Sequence, residues 1–174
     1  LLLHYFYTQL QWRLRAKSEL QSRVQALQSR IRPHFLFNSM NIIASLIHED
    51  PDKAEKAVED LSELFRASLK EAGVEVSLEH ELTLCRKYIH IEQLRLGERL
   101  SVDWCIHEGV DTQALNIPML TLQPLLENAI YHGIQPSAKG GTIQIHIQYE
   151  KELVEISVTN PLPNKPTGRR TEKG

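Results

Sequence analysis

The hydrophobic period of this chain changes along its length, and that change restricts it to a mixed fold of helices and strands. From about Thr8 to Ile47 there is no glycine and a single proline, Pro33. Leu10, Leu20, Val24, Leu27 and Ile31 occupy the a and d positions of one heptad register, with Arg13 and Lys17 as polar exceptions, and the next d position is His34. Near the other end, Ile143, Ile145, Ile147 and Tyr149 alternate with Gln144, His146 and Gln148, and Val154, Ile156 and Val158 alternate again after a short polar turn. A period of two over neighbouring runs predicts an antiparallel hairpin with one face on a core and one face wet. The first half therefore reads as helices and the second as strands, an α+β arrangement.

Local punctuation refines this. Asp50 is a good N-cap and Pro51 suits a first helical position, so a second helix is expected with Ala54, Val58, Leu61, Phe65 and Ser68 on one face and Gly73 at its end. The short His48–Glu49 connection predicts an antiparallel helical hairpin, and two such hairpins make a four-helix bundle. Pro33 inside the first helical run is expected to bend it. A third helix should start near Ser77, bury Leu78, Leu82, Cys85 and Ile89, and stop at Gly97. Leu100–Ile106 reads as a strand, Ile117–Ile134 as helical, and the residues from Pro161 onward have no period. The chain divides near residue 75, and about 100 residues beyond it suffice for one core.

Composition excludes several classes. Of 174 residues, 20 are Lys or Arg and 22 are Asp or Glu, and this near balance argues against direct nucleic-acid binding. Hydrophobic residues at 41% and charged residues at 24% exclude global disorder. Cys85 and Cys105 form no CxxC pair, which argues against a disulfide scaffold or zinc ribbon and for a reducing compartment. The eight histidines include no i,i+4 pair, so a metal centre is not expected. No apolar run reaches the ~20 residues of a membrane span. Even so, Tyr5, Phe6 and Tyr7 ahead of Arg13, Arg15 and Lys17 fit the inner rim of such a span as well as an ordinary helix start.

Two clusters carry chemistry. In Arg32-Pro33-His34-Phe35-Leu36-Phe37-Asn38-Ser39-Met40-Asn41, a histidine beside a proline has Asn38 one turn on. Neutral imidazole can act as a nucleophile, although an interface histidine satisfied by its neighbours would read the same way. In Leu122-Gln123-Pro124-Leu125-Leu126-Glu127-Asn128-Ala129-Ile130-Tyr131-His132-Gly133, helical spacing brings Glu127, Asn128, Tyr131 and His132 close together. Such oxygens can serve a hydrated Mg²⁺, or they can simply be the wet side of an amphipathic helix.

Together the two clusters resemble the LytS/YehU-type sensor histidine kinases. Arg32–Asn41 is similar to that family's phosphoacceptor motif, Leu122–Gly133 to the N box of its ATP-binding domain, and Tyr88–Leu100 to the helix and strand that link them. Within the family, the text is nearest to the membrane-anchored alginate-regulating sensors. The resemblance implies a helical hairpin that dimerises into a four-helix bundle, followed by a partial α/β sandwich of the Hsp90, gyrase and histidine-kinase ATPase type. It implies a membrane-proximal signalling helix over 1–30, a phosphotransfer hairpin over 31–75 and an ATP-binding domain over 76–174, incomplete at its C-terminal end.

By the same resemblance, the homodimer uses ATP and Mg²⁺ to phosphorylate His34 and passes the phosphoryl group to an aspartate of a response regulator, which often carries a LytTR-type DNA-binding domain. Asn128 becomes the Mg²⁺ ligand, with His132, Glu127 and Asn160 at the nucleotide and Asn38 in support of His34. The expected location is the cytoplasmic face of the bacterial inner membrane, reached through a segment upstream of Leu1.

Three departures from the pattern stand out. Phe35 replaces the acid that follows the phosphoacceptor in ordinary histidine kinases, Val158-Thr159-Asn160-Pro161 replaces the Asp-x-Gly that reads adenine, and no Gly-x-Gly loop precedes Gly174. Weak nucleotide binding is therefore expected of this stretch. A second reading, a dimeric adaptor or phosphatase that docks the regulator without efficient ATP use, is favoured by the altered adenine site and opposed by the intact motifs around His34 and Asn128.

Overall fold

In a computed structural model, the described residues are 32–70, 73–150 and 153–162. The heptad run before residue 32, the membrane-rim start and most of the aperiodic tail lie outside them.

Helix α1 spans Pro33–Glu49 and α2 spans Pro51–Ser68. Pro33 does not bend a longer helix; it begins one. Arg32 is extended (φ −62°, ψ 118°), and its carbonyl accepts from Phe35 and Leu36. The residue before a proline is pushed out of the helical region, and proline at N1 loses no hydrogen bond. Asp50 serves both helices. Its N–H donates to the Leu46 carbonyl at 2.8 Å, and its side chain accepts from Lys53 N at 3.1 Å. Phe35, at the start of α1, lies beside Leu61, Leu64 and Phe65 late in α2, so the pair is antiparallel as expected. The buried stripe of α2 is shifted from the expected one: Ala54, Ala57, Leu61, Leu64 and Ser68 are buried, while Val58 is 48% exposed. The cause is a third helix covering the Ala57–Asp60–Leu64 side.

That helix, α3 (Leu78–Leu96), starts at Ser77, whose hydroxyl accepts from His80 N, and ends at Gly97 with φ +58°. Leu78, Leu82, Cys85 and Ile89 are all buried, and so are Leu84, Tyr88 and Ile91 on other sides. A 3₁₀ turn, Gly97–Arg99, leads into β2 (Leu100–Ile106). This strand pairs in parallel with β4 (Gly141–Glu150), which pairs antiparallel with β5 (Leu153–Thr159) in the predicted hairpin. Ile143, Ile145 and Ile147 are at most 1% exposed, whereas Tyr149, expected on the same face, is outside the core. Gly140 (φ +70°) makes the turn into β4 possible, since a Cβ there would meet the Arg99 carbonyl at 2.0 Å.

The segment expected to be helical from Ile117 to Ile134 is divided. Asn116–Pro118 forms β3, paired antiparallel with β1 (Glu75–Ser77). A loop through Leu120, at φ +61°, follows. Helix α4 then covers only Gln123–Ala129, and a π-helical turn, Ile130–Ile134, continues it. Pro118 and Pro124 mark both breaks. One core joins all these layers, from Phe35 and Ile43 through α3 to α4 and the isoleucines of β4.

Candidate functional site

The two sequence clusters face each other across a cleft of about 300 Å³ between α1 and α4. His34 and Phe35 stand on one wall, Glu127, Ile130 and Tyr131 on the other, and Tyr88 and Glu92 of α3 at the base. The backbone turn at Pro33 brings the start of α1 to this place. Arg32, left extended in front of the helix, crosses the cleft: its Nε lies 2.9 Å from Glu127 Oε2 and its Nη2 donates to Asn128 Oδ1 at 3.1 Å. Its guanidinium is also 5.6 Å from the centre of the Tyr131 ring. Planar guanidinium suits this combined carboxylate, amide and ring contact.

His34 is exposed, and its Nδ1 is 3.0 Å from Asn38 Nδ2. A bond at Nδ1 leaves Nε2 as the ring nitrogen without a partner among the described residues. Phe35, next in the chain, is sunk in the core with its ring centre 4.9 Å from that of Tyr88. Burial, and then the Glu92 and Glu127 carboxylates, push the Tyr88 phenol up, so it stays neutral.

Helix α4 is held at both ends from α3 and the turn after it. Glu81, fully buried, accepts from the backbone N–H groups of Leu120 and Leu122, each at 2.8 Å, and so fixes the entry to α4. Arg99 donates to the carbonyls of Gln135 and Ser137 at 3.2 and 2.8 Å and fixes its exit. Neither residue was singled out for a role in the site by sequence. For Glu81 a signal existed, because it falls on the same face as Leu78 and Cys85. The hairpin is attached separately. Asp60, 2% exposed, accepts from Lys87 Nζ at 3.0 Å and pairs with His90 Nδ1 at 2.7 Å. Burial pushes this carboxyl up, but the bonds from Lys87, His90 and Lys56 outweigh it and hold it below its ordinary value.

Of the expected site residues, the fold thus gathers His34, Asn38, Glu127 and Asn128. His132 lies on the π turn, edge-on to Tyr131 at 4.9 Å, and does not line the cleft. Asn160 sits at the end of β5 against Gly133, where an added Cβ would meet its Nδ2 at 2.4 Å. It reaches the far end of the same motif and not the cleft. No three or more His, Cys, Asp or Glu side chains converge as a metal centre among the described residues, and no helix there is long and apolar enough to cross a membrane.

Comparison with known proteins gives the same reading. Residues 22–100 match the histidine kinase family. The chain is 40% identical over 139 residues to the sensor histidine kinase YpdA of Escherichia coli (strain K12), covering 79% of this chain and 24% of that protein. It is 35% identical over 138 residues to the sensor histidine kinase BtsS of the same strain, covering 79% and 24%. To the sensor protein LytS of Oceanobacillus iheyensis it is 38% identical over 137 residues, covering 78% and 23%. The chain spans about a quarter of the length of these curated relatives. They do not bear on the narrower alginate-regulating likeness. Over most of its own length the chain is thus similar to sensor histidine kinases, the LytS sensor proteins among them.

Proposed function

We propose that this chain is the transmitter part of a two-component sensor, in which His34 takes the γ-phosphoryl group of ATP and hands it to an aspartate of a response regulator. One observation carries the reading: His34 shares a cleft with Glu127 and is joined to Asn128 through Arg32. The unprotonated ring nitrogen forms the N–P bond. The bond from the γ-phosphorus to its bridging oxygen breaks, that oxygen keeps the electron pair as ADP leaves, and the proton on the other ring nitrogen passes to solvent. Attack through Nε2 requires the proton on Nδ1, where the Asn38 amide, turned so that Oδ1 accepts from Nδ1–H, would hold the ring in that tautomer.

The donor set suits the substrate. Asn128 Oδ1 and the Glu127 carboxylate are hard oxygen donors of the kind Mg²⁺ accepts, and Asn128 is the residue to hold it. The bound ion would supply charge neutralisation, the main requirement of phosphoryl transfer. Phe35 offers no base, and the Glu127 carboxylate shares the cleft with His34. Asn160 uses its Nδ2 on the Pro161 carbonyl, which leaves Oδ1 to accept from an adenine amino group. His132 is the remaining polar contact for the nucleotide, on an α/β sandwich of the ATPase type that α3 and the three-stranded sheet would form.

The homodimer and its four-helix bundle belong to the same reading. Phe37, Met40 and Ile47 on α1 are 53–68% exposed at helical spacing, and Val58 of α2 is also exposed. A regulator with a LytTR-type DNA-binding domain and a membrane anchor upstream complete the proposal, at the cytoplasmic face of the inner membrane.

The test is incubation with radiolabelled Mg-ATP, followed by addition of the regulator. Label is expected on the wild-type chain and then on the regulator, and none on His34→Gln. Label that survives His34→Gln would refute the assignment.

A further inference from the structure

We infer that His34 receives its phosphoryl group from the nucleotide bound by its own chain, with Arg32 as the positioning residue that joins the two. The inference rests on the kinase reading and adds to it the identity of the acceptor. Three separate contacts seat the hairpin on the α/β part of the same chain. Arg32 reaches Glu127 and Asn128 at 2.9 and 3.1 Å. Phe35 is buried with its ring against Tyr88. Asp60 of α2 holds Lys87 and His90 of α3.

His34 lies between the first two of these contacts. One residue, Pro33, separates it from Arg32, two Cα steps or at most ~7 Å of backbone, so a guanidinium bound to the N-box pair sets the range of the nucleophile. The side chain after it is fixed in the core, which sets its direction. Phe35 cannot leave the cleft without exposing its ring and the Tyr88 face. A partner's His34 would need this wall displaced before it could reach the cleft. Own-chain transfer needs only a small adjustment within a preassembled pair, the situation in which positioning lowers a barrier most.

Chemically, the acceptor nitrogen forms its bond to the γ-phosphorus while the bond to the bridging oxygen breaks and ADP departs with the electron pair. Arg32 takes no part in that exchange. Its role is to hold Glu127 and Asn128 opposite His34.

Two differently tagged full-length chains, one His34→Gln and one Asn128→Ala, are co-expressed, purified together as a mixed assembly and given labelled Mg-ATP. Own-chain transfer predicts no label on either chain, because one lacks the acceptor and the other the metal ligand. Label on the Asn128→Ala chain would overturn the inference, since it could come only from its partner. If wild type itself takes no label, the kinase reading fails and this inference with it.

Arg32→Gln is the second arm. It should reduce the phosphorylation rate at saturating ATP by about tenfold or more while leaving the KM for ATP unchanged, with partial recovery in Arg32→Lys. A change confined to KM, or no change in rate, would remove Arg32 from this role.

Discussion

Helices α1 and α3 are of similar length, 17 and 19 residues, yet α1 buries three side chains and α3 buries ten. The difference assigns them different work. Helix α3 packs against α1, α2, α4, β1 and β2: it carries the Glu81 that fixes the entry to α4, the partners of Asp60, and apolar side chains on several sides. Helix α1 rests on Phe35, Ser39 and Ile43 and leaves Phe37, Met40 and Ile47 in water. A short helix draws most of its stability from the face it packs. With so narrow a face, α1 is held in place chiefly at its N-terminal end, where His34 lies.

The largest test of that contrast is truncation in each helix. Leu82 is fully buried in α3, and Leu82→Ala should cost about 3 kcal/mol, by lost transfer energy and the cavity left behind. Ile43 in α1 is 7% exposed beside a surface that can relax, and Ile43→Ala should cost about 1–2 kcal/mol. Chemical denaturation of both variants measures the pair. Equal losses would mean that α1 is as much a part of the core as α3.

The join between the two regions comes next in size. Asp60→Asn should cost about 2 kcal/mol, the scale of a hydrogen bond to a charged group, because Lys87 and His90 lose their carboxylate. The sign of its pH dependence is fixed. The Asp60 carboxyl is held below its ordinary 3.8, so its contribution is present above that value and is lost as pH falls through the depressed one. The gap between wild type and Asp60→Asn should be level from neutral pH to about 5 and should close only under stronger acid. A gap that closes near neutrality would mean that the Asp60 carboxyl is not its source.

How much of this the sequence carried depended on the same contrast. Where a helix or strand presents one face to the core, period and punctuation suffice: Asp50–Pro51, Ser77 and Gly97 bound their helices as read, and Ile143–Ile147 pointed inward. Where a position depends on several neighbours, they do not. The stripe of α2 moved from Val58 to Ala57 because α3 covers a side that the α2 sequence alone cannot identify. Strands β1 and β3, three residues each, are too short to show a period, and Pro118 and Pro124 were the sole marks against a continuous helix. His34 and Asn128 could be matched to motifs. The crossing by Arg32 could not, because it lies 96 positions from Asn128 and only the fold brings the start of α1 opposite α4 across the cleft.

The smallest expected effect on the fold is the most informative about α1. Met40→Glu replaces a half-exposed side chain in the middle of the helix by one of nearly equal helix propensity, so folding stability should change by no more than about 0.5 kcal/mol. Self-association should respond differently. In a twofold pair the same patch meets itself, so each substitution would set a carboxylate against its own copy and take an apolar contact away at once. Light scattering across a concentration series should show wild type as a dimer and Met40→Glu as a monomer, with superimposable melting curves once dissociation is complete. If the variant stays dimeric, the stripe of Phe37, Met40 and Ile47 is not the contact, and the sparse burial of α1 must answer to a different partner. If it becomes monomeric and also melts early, α1 depends on its copy for its own folding, and the division of labour between α1 and α3 is sharper than burial alone indicates.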